Sequence, residues 1–189
     1  MSAAFTTEEQ TQTLVLTSPA TVRISGLIPQ SIVDGPGLRL VVFAQGCPHA
    51  CPGCQNPGTH DFGGGYDCGI DDIIDRFDRN PLLSGITLSG GEPFSRAGEL
   101  LPLAEAVRSR GKSVWCYSGY TFEEIRKLAV KSDVVDELCG LIDVLVDGRF
   151  ELRNRSLDLL FRGSSNQRLV AVQPSLLCGR VVLYEPERF

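Results

Sequence analysis

The chain has 189 residues, of which 42% are hydrophobic and 22% are charged, and its formal net charge is -5. This composition suits a soluble protein with one sizeable core, and no apolar stretch is long enough to cross a membrane. Because Lys and Arg are not clustered and the net charge is negative, the sequence argues against a broad nucleic-acid footprint, and we expect no nucleic-acid partner. No targeting segment is visible, so the sequence predicts a cytoplasmic protein.

Short apolar runs alternate with helical patterns along the chain. Residues 1–21, rich in Thr, Ser and Ala, predict a flexible N-terminal extension, and residues 22–189 predict a single domain. The predicted strands are 38–44, 85–88, 113–117, 142–146, 169–172 and, near the end of the chain, 180–184. The predicted helices are 71–77, 100–110 and 122–129, the last with Thr121 as its N-cap.

This alternation is typical of an α/β fold in which helices cover a buried parallel sheet. A complete eightfold barrel takes about 250 residues, so the chain is too short to form one. We therefore expect an incomplete, TIM-like (β/α) barrel of roughly five to six parallel strands.

Three cysteines lie within eight residues directly after the first predicted strand. Cys47, Cys51 and Cys54 have the spacing Cys-x3-Cys-x2-Cys, in a loop rich in Pro and Gly. Thiolates are the usual ligands of iron-sulfur clusters, and three of them leave one iron of a 4Fe-4S cluster without a protein ligand. The spacing therefore predicts a 4Fe-4S cluster with an open iron that is available for chemistry.

Other uses of these cysteines remain open. A zinc site could take His49 or His60 as its fourth ligand, although structural zinc usually has two separated ligand pairs and there is no second Cys-x2-Cys. Seven cysteines are an odd number for a disulfide framework. A noncatalytic iron-sulfur or zinc-binding module is the alternative to an enzyme, although a ferredoxin would need a fourth cysteine.

Four motifs follow predicted strands. They are, in chain order, the cysteine segment, Gly90-Gly91-Glu92-Pro93, Tyr117-Ser118-Gly119 and Asp147-Gly148. Because carboxyl ends of parallel strands meet on the face where barrel active sites assemble, we expect one shared site. In the second motif, paired glycines allow close backbone approach and Glu92 favours a cation over an anion, although a plain tight turn is the alternative.

Together these motifs resemble those of the radical S-adenosylmethionine superfamily and, within it, the activating proteins of anaerobic ribonucleoside-triphosphate reductases. Besides the cysteine segment, the resemblance is carried by residues 31–37, 89–93, 115–120, 143–148 and 162–168, and it runs from about residue 24 to 172. Gly53 departs from the superfamily, in which an aromatic residue often precedes the third cysteine and packs on the adenine.

The resemblance implies a radical S-adenosylmethionine core that binds this cofactor beside the cluster. The implied contacts are Gly53, Cys54, Gln55, Gly90, Gly91, Glu92, Ser118 and Asp147. The Gly90–Glu92 segment would bind the methionyl ammonium, while Ser118 and Asp147 would offer oxygen ligands to a monovalent cation. Asp147-Gly148 could equally be a simple turn.

The implied reaction is reductive cleavage of S-adenosylmethionine to a 5′-deoxyadenosyl radical, which takes a hydrogen from a glycine of the large reductase subunit. An electron donor such as flavodoxin or ferredoxin would reduce the cluster, and an incomplete barrel would leave a lateral opening for a peptide loop. The alternatives within the superfamily are other targets, as in pyruvate formate-lyase activases or 7-carboxy-7-deazaguanine synthases.

Overall fold

The computed structural model describes residues 20–186, which form a mixed sheet and the α-helices that cover it. The strands are β1 (Thr21–Ser31), β2 (Leu38–Ala44), β3 (Tyr66–Gly69), β4 (Leu83–Gly90), β5 (Ser113–Ser118), β6 (Val144–Asp147) and β7 (Arg168–Ala171). The helices are α1 (Ile70–Asp78), α2 (Ala97–Ser109), α3 (Phe122–Ala129), α4 (Asp133–Leu141) and α5 (Val172–Cys178). None of these helices is both long enough and apolar enough to span a bilayer.

Four parallel strands form the centre of the sheet. The strand order is β3-β1-β2-β4-β5-β6-β7, with β2, β4, β5 and β6 parallel. β1, β3 and β7 pair antiparallel with their neighbours, and the described sheet ends at β3 and β7 without closing. The α/β class is confirmed. The TIM-like barrel is not confirmed, because the described sheet is open, and four of the predicted five to six strands pair in parallel.

The connections between strands explain the antiparallel pairs. Parallel neighbours need a long crossover, usually a helix. Residues 32–37, which we call the hairpin, join β1 to β2, and residues 148–167, which we call the return loop, join β6 to β7. The return loop contains the short 3-10 helix Leu152–Asn154 and no α-helix, so β7 pairs antiparallel with β6. The strand predicted at 180–184 is a single bridge between Val170 and Leu183.

The two faces of the sheet differ because side chains alternate along each strand. On one face, Leu40, Leu88 and Leu145 are buried against the helices in the main core. On the other face, the buried guanidinium of Arg39 lies 5.6 Å from the centre of the Trp115 ring, and burial lowers its pKa to about 10. The helices therefore leave this second face free for the return loop and a site.

Helices α1, α2 and α3 confirm the three predicted helices. Thr121 caps α3 as expected: its Oγ1 accepts from Glu124 N at 3.2 Å, and Glu124 Oε2 accepts from Thr121 N at 2.8 Å. The sequence did not predict α4 or α5. Of the predicted extension, residues 1–19 lie outside the described residues, and Thr21 already belongs to β1.

Candidate functional site

The carboxyl ends of the parallel strands border a cavity of about 450 Å³. Ala44 at the end of β2 lies opposite Gly90 at the end of β4, and Ser118 of β5 lies opposite Asp147 of β6. The four predicted motifs therefore lie at one edge of the sheet, as expected. The hairpin and the return loop complete the cavity wall.

The cysteine loop, residues 45–56, brings three thiols to this cavity. Cys47, Cys51 and Cys54 all line it, and each is unpaired and half-buried. Cys54 N donates to Cys51 O at 3.1 Å, and Cys54 Sγ accepts from Asn56 N at 3.4 Å. Burial raises the pKa of the Cys47 thiol. The loop thus presents three sulfurs to a single space.

Gly53 lies where many superfamily members have an aromatic side chain. A Cβ at Gly53 would lie 3.0 Å from Leu152 Cδ1, so Leu152 of the return loop occupies the adjacent space. Among the described residues, Gln55 lines the cavity and Gly53 does not. The structure therefore brings Gln55, but not Gly53, to the wall of the predicted cofactor site.

Gly90 and Gly91 line the cavity and lie tightly against the start of the cysteine loop. A Cβ at Gly90 would be 2.8 Å from Ala44 O, and a Cβ at Gly91 would be 2.4 Å from Gly46 O. Gly91 N donates to Ala44 O and Glu92 N donates to Gly46 O, both at 2.8 Å. Glycine is therefore required at both positions because any side chain would push these backbones apart.

Glu92 is fully buried, and its carboxylate is directed towards neighbouring loops instead of the cavity. Oε1 accepts from Phe94 N at 3.1 Å and from Ser118 Oγ at 2.9 Å. Oε2 accepts from Gly119 N at 2.8 Å and lies 2.9 Å from His49 Nε2. Ser118 itself lines the cavity. The carboxylate predicted to bind an ammonium group is thus occupied by protein donors.

Asp147, the predicted cation ligand, is buried and is not among the described residues that line the cavity. Its carboxylate accepts from Arg168 Nε at 2.9 Å and from Phe122 N at 2.7 Å. Arg168 also pairs with Glu123 at 2.7 Å, and the two carboxylates raise the pKa of Arg168. The structure therefore brings Ser118 to the cavity but holds Asp147 in an ion pair.

Comparisons with known proteins show the family of the chain. Residues 33–170 match the family described as a 4Fe-4S single cluster domain. The anaerobic ribonucleoside-triphosphate reductase-activating protein of Escherichia coli strain K12 is 39% identical over 147 residues, covering 74% of this chain and 92% of that protein. The protein of the same name from Enterobacteria phage T4 is 34% identical over 149 residues, covering 76% and 90%. The chain belongs to this family of activating proteins.

The cavity of this activating-protein family member is lined by candidate cluster ligands and by unpartnered polar groups. Besides the three thiols, His60 Nε2 and Arg162 Nε are buried without a hydrogen-bond partner among the described residues, and both side chains line the cavity. Buried polar atoms almost always have partners, so these atoms point to a bound group. No three His, Cys, Asp or Glu side chains within residues 20–186 lie close enough to hold one metal ion. A 4Fe-4S cluster does not require three ligands around one metal ion, because each thiolate would bind a different iron.

The cavity of this family member also contains residues that the sequence analysis did not assign to the site. Phe161 has a left-handed backbone with φ +58°, and its ring meets the Trp115 ring edge-on with centroids 5.3 Å apart. A polar loop that contains glycine is usually exposed to solvent. Only the family resemblance of residues 162–168 therefore indicated that they belong to the site. The unassigned lining residues include Asp34, Tyr117, Phe150, Phe161, Arg162 and Gln167.

Proposed function

We propose that this protein generates the glycyl radical of an anaerobic ribonucleoside-triphosphate reductase by radical S-adenosylmethionine chemistry. The observation that carries the proposal is the convergence of three unpaired thiols and the Gly90-Gly91 backbone on one cavity. The relatives' name supplies the reductase as the partner, and the cavity supplies a place for the chemistry.

The three cysteines are the proposed cluster ligands. Cys47, Cys51 and Cys54 would each bind one iron of a 4Fe-4S cluster and leave the fourth iron for S-adenosylmethionine. When bound, the reduced cluster supplies the electron that cleaves S-adenosylmethionine to methionine and a 5′-deoxyadenosyl radical. The chain's own task is to hold the sulfonium at the open iron, exclude water and direct the radical carbon towards one hydrogen.

The end of β4 is the proposed place of the methionyl ammonium. The backbone carbonyls of Gly90 and Gly91 would accept its hydrogen bonds, with the negative charge of Glu92 behind them. The segment Gly90–Glu92 would thus still favour a cation, although the Glu92 side chain does not line the cavity. The proposed contacts with S-adenosylmethionine are the cavity-lining Gln55, Gly90, Gly91 and Ser118, with the backbone of Gly53 and Cys54 beside them.

A monovalent cation at Asp147 stays a prediction. Because Arg168 holds that carboxylate, a cation would have to replace a guanidinium that already satisfies it. Cleavage that rises with added potassium or sodium at constant ionic strength would support a cation site. Cleavage that does not change with added potassium or sodium would argue against a cation site and leave the ion pair with Arg168 as the role of Asp147.

The hairpin is the proposed entrance for the partner. Val33 lines the cavity and is largely exposed, so the cavity reaches the surface there. A glycine-bearing loop of the large subunit would enter at this point. One α-hydrogen would move to the 5′ carbon and form 5′-deoxyadenosine, and the glycine would keep the unpaired electron. A flavodoxin or ferredoxin as electron donor stays a prediction.

The proposal is tested in the absence of oxygen with cluster-loaded, reduced protein and the large subunit of the reductase. Methionine and 5′-deoxyadenosine formed from S-adenosylmethionine are measured, and the glycyl radical is measured by electron paramagnetic resonance. We expect both products in equal amounts. Cleavage without radical transfer to the reductase would indicate another target, as in pyruvate formate-lyase activases or 7-carboxy-7-deazaguanine synthases. No cleavage by fully loaded protein would contradict the proposal and favour a noncatalytic iron-sulfur module.

A further inference from the structure

The Glu92 carboxylate has no free acceptor position in this structure. An ionised carboxylate offers about four lone-pair positions. Donors from Phe94, Ser118, Gly119 and His49 fill two positions on each oxygen. Because such a carboxylate only accepts, His49 donates from Nε2. An ammonium group could therefore reach Glu92 only by displacing one of these donors.

His49 connects this carboxylate to the cysteine loop. It lies between Cys47 and Cys51, and its side chain is only 3% exposed. Its ring meets the Tyr120 ring edge-on with centroids 4.4 Å apart, and a Cβ on Gly119 would lie 2.2 Å from His49 Cδ2. The imidazole is thus tightly enclosed, and its Nε2 is directed at Glu92.

The donors to Glu92 come from three separate segments: the cysteine loop, the turn after β4 and the end of β5. Removing one donor would leave a buried acceptor unsatisfied, which is costly where the dielectric is low. The single buried side chain of Glu92 therefore links three segments around the cavity.

We propose that Glu92 and His49 form a positioning pair, which fixes the cysteine loop relative to Gly90 and Gly91, and that Glu92 does not bind the cofactor's ammonium directly. The backbone bonds from Gly91 and Glu92 to the start of the cysteine loop act in the same direction. The consequence for S-adenosylmethionine rests on the proposed function, whereas the fixing of the loop does not.

The first test needs no cofactor: amide hydrogen exchange of residues 47–54 in the full-length chain without its cluster. His49→Phe keeps a ring but removes the donor, and we expect these amides to exchange about tenfold faster. His49→Gln keeps an amide donor and should restore part of the protection. Ser175→Ala is the control, because it removes a buried hydrogen-bonding side chain whose partners are Ala171 and Val182 and not the cysteine loop. Unchanged exchange in His49→Phe would overturn the pair.

The second test is equilibrium binding of S-adenosylmethionine to cluster-loaded protein, with iron content and circular dichroism confirming that each variant is loaded and folded. We expect His49→Phe and Glu92→Gln each to weaken binding about tenfold, and the double variant to be no weaker than Glu92→Gln alone, because both changes remove one link. Wild-type affinity in His49→Phe with a loss of about 100-fold in Glu92→Gln would instead show direct binding by Glu92.

The two tests separate this inference from the proposed function. Wild-type protein that binds no S-adenosylmethionine would end the proposed function, yet the exchange measurement would still decide on the pair. If Glu92→Gln does not fold, the comparison of His49→Phe with His49→Gln decides both readouts: equal affinity in the two variants would contradict a role for the Nε2 donor.

Discussion

The residues of the cysteine loop have different surroundings although their thiols share one cavity. Cys47 N donates to His60 O at 3.1 Å, which ties the start of the loop to the segment that follows it. Cys54 Sγ already accepts a hydrogen bond from Asn56 N. Hydrogen bonds to sulfur are among the features that set the reduction potential of a cluster. We therefore expect the loop to tune the cluster as well as to bind it.

Replacing any one of the three cysteines by serine should remove the cluster. We expect Cys47→Ser, Cys51→Ser or Cys54→Ser to lower cleavage of S-adenosylmethionine by more than about 100-fold, with a matching loss of iron, because even outer groups of a metal site contribute 10–100-fold. Iron content and 5′-deoxyadenosine are the measurements. Cys178→Ser is the control, since Cys178 is exposed on α5 and distant in sequence from the loop. A serine variant with full iron and full activity would exclude that cysteine as a ligand.

The ion pair between Glu123 and Arg168 should make stability depend on pH. The Arg168 hydrogen bond lowers the pKa of Glu123 from 4.5 to about 2, so this pair stabilises the fold above about pH 4.5 and the stabilisation is lost as pH falls towards 2. Because Glu123 is 53% exposed, solvent screening limits the effect, and we expect Glu123→Gln to lower the free energy of unfolding by less than about 1 kcal/mol at neutral pH.

Urea denaturation of wild type and Glu123→Gln at about pH 7 and about pH 3 measures this dependence. The difference between the two proteins should narrow at the lower pH. A difference that stays constant or widens on acidification would contradict the assigned cause of the shift.

At the level of elements, the hairpin and the return loop both line the cavity and both carry exposed apolar side chains. Ile32 of the hairpin is 74% exposed, and Leu157 of the return loop is 86% exposed. Val33 and Phe161 from the same two elements line the cavity itself. Exposed apolar side chains beside a cavity that a protein substrate would enter are candidates for an interaction surface. We therefore assign the proposed docking of the reductase to these two elements.

Negative charges at Ile32 and Leu157, which we call the rim, should separate cleavage of S-adenosylmethionine from radical transfer to the partner. We expect Ile32→Asp combined with Leu157→Asp to lower radical transfer to the large subunit about tenfold or more while partner-independent cleavage of S-adenosylmethionine stays near wild type. Leu177→Asp is the matched control, because Leu177 is 89% exposed but lies on α5. Equal losses in the control and the rim variant, or an unchanged rim variant, would place the docking surface elsewhere.

The part of the fold that the sequence could predict is the part with strong local signals. The period of α3 and its Thr121 cap are local, and so are the strand ends that carry the cysteine, glycine and Ser118 motifs. The predicted direction of β7 was wrong. The four residues Arg168–Ala171 do not indicate in which direction the strand runs, because that depends on the path of the return loop. The sequence analysis did not predict β1 and β3, which extend the sheet by antiparallel pairing outside the strand-helix alternation on which the prediction was based.

The contacts within the site were harder to predict than its location. Glu92 was expected to face a ligand, yet its donors His49 and Ser118 lie 43 and 26 residues away in the chain. Asp147 was expected to meet a cation, and Arg168, 21 residues further on, holds it instead. Long-range side-chain bonds of this kind depend on how the elements pack, which spacing within one segment does not reveal.

For the whole molecule, an open sheet with one helix-covered face and one cavity face provides a core and leaves room for the proposed entry of a protein substrate. We propose that hydrogen moves from a partner glycine to the 5′ carbon of S-adenosylmethionine in this cavity. The most direct test is to activate a reductase large subunit whose glycines carry deuterium at the α carbon. The account predicts a glycyl radical by electron paramagnetic resonance and one deuterium in the 5′-deoxyadenosine. A glycyl radical with unlabelled 5′-deoxyadenosine, or cleavage with no radical on the partner, would contradict it.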